Sequence, residues 1–406
     1  MVKQWMKGLV GVAGVVGLSC SLNVAADGLS NDTVKIGLLT DMSGVYKALE
    51  GPGAQLAARM AIEDFGGDMM GKKIELITAD HQNKADIGAS IAREWIDSKN
   101  VDMIVGLDNS AVGLAVQGLA SDKKTITMAT GPATAALTED QCSKYGIHYV
   151  YDTHALPVGT ATAIVKNGGK KWFFITADYT FGHALQDSTS AVVKSLGGEV
   201  VGSVNAPLGT TDFSSYLLQA QASGADVVGL ANAGQDTVNS IKQANQFRIV
   251  QSGQKLAGML VFITDVKSMG LDIAKGLQFT TAFVWNQSDE AKKWSQRYYD
   301  QQGAMPTMVQ AGVYSSVLHY LEAVKAAGTD NSDTVRKQLG EMTLNDFFVK
   351  DGKIVANGLM MHDMYLVKVK TPEESTGDWD LLEVVSRIPA DQAYIPVSES
   401  ACPLLK

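Results

Sequence analysis

Val34-Lys35-Ile36-Gly37-Leu38-Leu39 is followed, past a loop containing Asp41-Met42-Ser43-Gly44, by Leu56, Met60 and Ile62 at near-helical spacing, and then by Ile74-Glu75-Leu76-Ile77-Thr78. The first run is too continuously apolar for a strand with one wet face, so it reads as buried on both sides. The spaced residues predict a helix over 53–64, and the third run predicts a second strand. Strand, helix, strand at this spacing is a βαβ unit, which implies a parallel sheet covered on both faces.

The rhythm continues outward from this unit. Helices are predicted over 85–97 and 111–120, with strands at 103–106 and 126–129. A second series opens with Trp172-Phe173-Phe174-Ile175-Thr176 as a strand. A helix over 184–196 stops at Gly197-Gly198, a C-terminal signal. Strands at 200–204, 226–230 and 260–263 then alternate with helices over 216–222 and 238–245. Further on, strands are expected at 276–283, 364–369 and 381–385, and helices over 291–301 and 309–326. The fold class is therefore α/β, in two similar halves with mainly parallel sheets. Ligands in such sheets bind beyond the carboxyl ends of strands. The loops to inspect are 40–50, 107–110, 130–134, 177–182 and 264–267.

Composition narrows the function. The 406 residues are 46% hydrophobic and 19% charged, with a formal net charge of −9. That is globular composition with ample core-forming surface. Nucleic acid is not an expected partner, because phosphate neutralisation needs clustered Lys and Arg, and only isolated pairs such as Lys170-Lys171 occur. Lys3 and Lys7, the apolar run over 8–18 and the small residues Val24, Ala25 and Ala26 predict a secretory signal peptide over 1–26. Removing its two lysines takes the charge from −9 to −11. Cys20 sits near a lipoprotein processing site, but its leucine is one position out of pattern, so a free periplasmic protein is the favoured reading. Cys142 and Cys402 then remain as a pair, and an oxidising compartment favours a disulfide between them. Two free buried thiols are the alternative.

No catalytic or metal motif emerges. The histidines lack paired ligand spacing, there is no Gly-x-Ser-x-Gly turn and no phosphate loop. Neither a cofactor nor a metal is expected, and the reading is not an enzyme.

The strand-end loops and the segments near them form an ordered set: Leu39-Thr40-Asp41-Met42-Ser43-Gly44, Ile104-Val105-Gly106, Gly131-Pro132-Ala133-Thr134-Ala135, Asp178-Tyr179-Thr180-Phe181-Gly182, Thr211-Asp212-Phe213 and Gly224-Ala225-Asp226-Val227-Val228. In this set and its order the chain resembles the Leu/Ile/Val-binding protein family of periplasmic receptors. The resemblance implies a type I periplasmic binding fold, with two lobes joined by three crossovers and a ligand trapped between them. It implies a first lobe of 27–150 plus 281–350 and a second of 151–280 plus 351–406, with the third crossover between 346 and 362. It also implies a monomer that docks to the membrane permease of an ABC transporter.

Site residues follow by likeness. Ser110, after Asn109, and Thr134, with amides near Pro132, match the residues that hold a ligand carboxylate. Hydroxyls and amides at helix starts satisfy an anion without a buried counter-charge. Phe181 falls where an aromatic residue covers the ligand, Tyr46 is placed to stack on a ring, and His154 follows the first crossover. Plain capping by Ser110 and Thr134, and packing by Tyr46 and Phe181, remain the competing readings. Amino-acid receptors of this family pair the ligand ammonium with an acidic residue of the second lobe. Here the segment is Phe262-Ile263-Thr264-Asp265, where Asp265 is the one substitute, and the accompanying aromatics are replaced by Ala231-Asn232-Ala233-Gly234. The expectation is a small carboxylate without an α-amino group, such as a benzoate or phenylpropanoid acid. Branched-chain amino acids, 2-oxo acids and amides stay open, as do a secreted hydrolase and a sensor subunit.

Overall fold

The computed structural model describes Met1 and residues 28–406. The expected signal peptide and Cys20 lie outside the described residues. Val34–Leu39 forms the middle of β1 (Thr33–Thr40). There follow α1 (Gly51–Phe65), β2 (Asp68–Met69), β3 (Lys72–Asp80), α2 (Ala85–Lys99), β4 (Met103–Gly106), α3 (Ser110–Asp122), β5 (Ile126–Ala129) and β6 (Gly146–His148). These strands make one sheet in the order β2-β3-β1-β4-β5-β6, parallel except at the short β2–β3 pair. From Ile36 on, both faces of β1 are apolar because both are covered. Val34, Ile36 and Leu38 pack with Ala54, Ala57 and Ala61 of α1, while Leu39 packs with Trp95 and Val116. At Gly37 a Cβ would lie 2.5 Å from the Trp95 ring, so only glycine lets α2 close onto the sheet.

The second lobe repeats the plan. It contains α4 (Ala155–Lys166), β7 (Lys171–Ala177), α5 (Thr180–Ser195), β8 (Glu199–Ala206), α6 (Ser214–Ala222), β9 (Val227–Ala231), α7 (Gln235–Gln246), β10 (Lys255–Gly258), α8 (Ile263–Met269) and α9 (Leu271–Ala274). Its sheet, β10-β9-β7-β8, is wholly parallel. β11 (Gln278–Thr281) then leads back to the first lobe, where α10 (Asp289–Gln302) and α11 (Met308–Ala327) pack on α1, and α12 (Ser332–Glu341) packs on α11. A hairpin follows, β12 (Lys353–Ile354) and β13 (Met360–Met361). The chain returns through β14 (Met364–Val369) and β15 (Leu382–Ile388), which form an antiparallel sheet with β11, and ends beyond α13 (Ala390–Ala393). The crossovers fall at residues 149–154, 282–288 and 362–363. Among the described residues, no helix is long and apolar enough to cross a membrane.

Three expectations are corrected. The strand expected at 260–263 lies instead at Lys255–Gly258, and Ile263 already begins α8. Leu260, Val261 and Phe262 are apolar because they are a buried loop. The lobes divide not at 350/351 but at the late end of the 346–362 span expected for the third crossover, because residues 351–361 belong with the first lobe. There β6 would otherwise be an open edge: His148 N–H donates to Gly358 O at 2.9 Å, and Ile354, Leu359 and Met360 join the core beneath α11 and α12. The end of the chain was assigned to the second lobe, but beyond Tyr394 it runs back to the first, where Cys402 is bonded to Cys142.

Candidate functional site

The loops at the carboxyl ends of β1, β4, β5, β7 and β9 face one another across the gap between lobes. Tyr46, Leu49, Asp108, Ser110, Gly131 and Ala133 of the first lobe, Tyr151 of the first crossover, and Tyr179, Phe181, Ala233 and Leu260 beyond it enclose one cavity. The lobes are shut: the centre of a water molecule has only about 10 Å³ to move in. Among the described residues, no Lys, Arg or His lines this space. A wider groove, about 430 Å³, lies at the far end of the second lobe, beside Lys255, Leu256, Lys275 and Leu277. That is the amino end of its sheet, and closure against the first lobe does not reach it.

Within the cavity wall, Ser110 opens α3 and its Oγ accepts from the amides of Ala133 and Thr134, at 3.3 and 3.2 Å. Hydroxyl and amides thus converge at one end. The other end is aromatic. Tyr151 Oη donates to Gly131 O at 2.6 Å, and Phe181 lies 5.9 Å from the Tyr179 ring. Tyr46 and Tyr179 share a hydrogen bond of 2.5 Å between their hydroxyls, across the two lobes. Burial holds all three phenols above their ordinary pKa, so each stays protonated.

A second contact locks the same loop. Gln235 N–H donates to Val45 O at 3.2 Å. Gly234 has φ +58, and a Cβ on it would lie 2.6 Å from Val45 O and 3.1 Å from the Tyr46 ring. Both the backbone conformation and the close approach demand glycine. The Val45-Tyr46 tip is therefore seated in the second lobe.

Behind the first-lobe wall lies a buried polar network. Asp41 accepts from Tyr46 N–H at 2.9 Å and Asn83 Nδ2 at 2.6 Å, and its own N–H donates to Asp108 Oδ1 at 2.9 Å. Asn83 N–H donates to His81 Nδ1, which leaves the imidazole proton on Nε2. That nitrogen is 2.6 Å from Asp108 Oδ1, although off the hydrogen-bond line. The Asp108 side chain is fully buried: Oδ1 is taken by the Asp41 N–H beside His81, and Oδ2 has no hydrogen-bond partner. Thr130 Oγ1 donates to Glu50 Oε1 at 2.7 Å. Burial, then the nearby Asp108, pushes the Glu50 carboxyl well above its usual range. The network ties the loops after β1, β3, β4 and β5 into one rigid rim.

Of the residues singled out from sequence, Tyr46, Ser110 and Phe181 line the cavity. Asn109 caps α3, accepting from Ala111 and Val112 N–H. Pro132 O lies 2.7 Å from His148 Nε2. Thr134 brings its amide to Ser110 but uses Oγ1 to cap a 3-10 turn over Ala135–Leu137, accepting from Ala136 N–H at 3.4 Å. His154 starts α4, its N–H donating to Asp152 Oδ1, and is not in the cavity wall. Asp265 is also outside it, with Oδ2 accepting from Phe262 N–H at 3.0 Å to cap α8. Burial raises its carboxyl to about 7. Leu49, Asp108, Gly131, Ala133, Tyr151, Tyr179, Ala233 and Leu260 were not singled out. Tyr179 had a signal, since it sits inside the quoted Asp178–Gly182 stretch. Among the described residues, no cluster of three or more His, Cys, Asp or Glu is placed to hold a metal.

Comparison with known proteins agrees with this architecture. The sequence profile of a family described as periplasmic binding protein matches residues 33–378. A crystal structure of a periplasmic binding protein from Burkholderia mallei is 50% identical, covers 92% of this chain and all of its own, and superposes with a TM-score of 0.91. A branched chain amino acid ABC transporter periplasmic ligand-binding protein from Burkholderia xenovorans is 40% identical over 92% of this chain and all of its own, with a TM-score of 0.81. Leu/Ile/Val-binding protein homolog 6 of Brucella melitensis is 24% identical over 59% of this chain, and the match spans 60% of that relative's length. With the profile running from β1 to beyond β14, and two parallel-sheet lobes closing on one cavity at their strand ends, the chain belongs to the periplasmic binding protein family.

Proposed function

We propose that this protein is the extracytoplasmic solute-binding component of an ABC importer, capturing a small aromatic carboxylate between its lobes and presenting it to a membrane permease. The observation that carries this reading is the single cavity built from the strand-end loops of both lobes, polar at Ser110 and aromatic at Tyr46, Tyr151, Tyr179 and Phe181. The Ser110 oxygen accepts from the Ala133 and Thr134 amides, which leaves its hydroxyl proton as a neutral donor for a carboxylate. The rings supply a slot for an aromatic body. The reading of a ligand without an α-amino group is supported by Asp265, whose carboxylate caps α8 outside the cavity wall, and by Asp108, whose Oδ1 is taken by the Asp41 N–H beside His81. In the shut form the space is too small for a ring, so the ligand is admitted with the lobes apart and parts Tyr46 from Tyr179.

A thermal-shift screen of refolded protein tests this. Ligand at about 100 times its dissociation constant adds about 2.7 kcal/mol of stability. Benzoates or phenylpropanoid acids are expected to raise the melting point, and leucine, valine and simple amides to leave it unchanged. A shift with leucine or valine alone would keep the receptor but overturn the aromatic-acid assignment. Turnover of a bound ligand would overturn the receptor reading in favour of an enzyme.

A further inference from the structure

Three crossovers join the lobes, but the end of the chain joins them again. After β15, α13 packs on α4 of the second lobe, and Ala393 and Tyr394 are buried there. Tyr394 Oη lies 3.1 Å from His362 Nε2, and that nitrogen is 2.8 Å from Val150 O. The start of the tail is thus fastened where the first and third crossovers meet. Eight residues later, Cys402 is wholly buried and bonded to Cys142 of the first lobe, with a Cα–Cα distance of 5.6 Å. Ser400 Oγ donates to Glu139 at 3.1 Å, Ala401 N–H donates to Glu139 Oε2 at 2.6 Å, and Asn357 Nδ2 donates to Ser400 Oγ at 3.3 Å.

The anchor point matters. Glu139 and Cys142 lie just past the 3-10 turn that Thr134 caps. Glu139 N–H donates to Ala135 O, Gln141 N–H to Ala136 O and Cys142 N–H to Glu139 O. Gln117 Nε2 donates to Leu137 O and Gln141 O, both at 3.0 Å. Residues 134–142 form one continuous bonded turn, so little slack separates the disulfide from the Ala133 and Thr134 amides.

We infer that residues 394–402 are a fourth, covalently closed connection between the lobes, which limits how far they open and positions the Ala133–Leu137 backbone for ligand. Eight residues reach at most about 28 Å when fully extended, so the strap sets a ceiling on separation at this side of the hinge. The positioning part rests on the proposed carboxylate site; the limit on opening does not.

The test uses ligand-free protein, so it is independent of what the ligand is. Hydrogen exchange and small-angle scattering are compared before and after reduction with a phosphine, with thiol titration confirming two new thiols. Amides 133–137 are expected to lose at least tenfold in protection and the radius of gyration to rise, while amides of Phe173 to Thr176 in the far sheet keep theirs. Unchanged amides and radius with both thiols free would overturn the inference. So would an equal loss at Phe173 to Thr176, which marks a general staple. The double variant Cys142→Ser/Cys402→Ser, folded without reductant, is expected to match the reduced protein.

Discussion

The two walls of the cleft are built on different principles. The first-lobe wall stands on buried polar groups: Asp41, Glu50, His81, Asp108 and Thr130 link four loops. The second-lobe wall is Tyr179, Phe181, Ala233 and Leu260, and its nearest buried polar set, Asn232 with Thr237 and Ser240, is small and local. A polar network is costly to break because each donor left alone in a dry interior loses its water and gains nothing. The first lobe therefore holds a fixed template, and the second behaves as a lid that conforms to it. The sharpest way to break this comparison is Asp108→Ala. It strands the Asp41 N–H, at about 1–3 kcal/mol, and removes the carboxylate beside His81 Nε2. Chemical denaturation should register that loss, whereas Asn232→Ala, whose hydroxyl partners can rotate, should lose about 1 kcal/mol. Equal losses would mean that both walls are equally preorganised.

Next in size is the seam. Gly234→Ala puts a methyl against Val45 O and demands a left-handed alanine, so closure should fail while the second lobe still folds. A drop of more than tenfold in affinity for the ligand found by screening, with scattering that stays open at saturation, is the expected outcome. Unchanged affinity would show that the Val45-Tyr46 tip is not part of the closed complex. Then comes the carboxylate end. Ser110→Ala should weaken binding by about 1–3 kcal/mol, and Thr134→Ala by clearly less, because the Thr134 hydroxyl caps a turn while its amide is kept. Titration calorimetry on the two variants checks the order.

What the sequence disclosed depends on whether the signal was local. The β1 to β5 rhythm was legible because each strand is a short apolar run between helical spacings. Leu260-Val261-Phe262 misled for the same reason, since burial makes a loop as apolar as a strand. β12 and β13 have two residues each, too few for any period, so the sequence limits the third crossover only to the span 346–362. In the site, Ser110, Tyr46 and Phe181 were reachable through family motifs. Asp108 and His81 were not, because neither is unusual until the fold brings together residues 27 positions apart. Asp265 looked like a ligand carboxylate since an acidic residue at a helix start is ambiguous: the same oxygen can cap the helix or face the cleft, and here it caps.

That ambiguity gives the smallest predicted effect, and it concerns pH. Asp265 keeps its proton to about 7 in the folded protein, because burial outweighs the Phe262 amide, whereas an unfolded chain releases it near 3.9. Between these values the folded state binds more protons, so stability must fall as pH rises through the window. Asp236, also on the second lobe, is raised to about 6 by burial, and Asp102 and Asp152 of the first lobe and the hinge to about 7 and 6. The slope is therefore shared. Asp265→Asn retains an acceptor for Phe262 N–H and removes one titration, so the melting temperature should decline less steeply from pH 4.5 to 7.5 than in the parent. An unchanged slope would mean that Asp265 is ionised across this range, a buried charge held by the Phe262 amide and the start of α8.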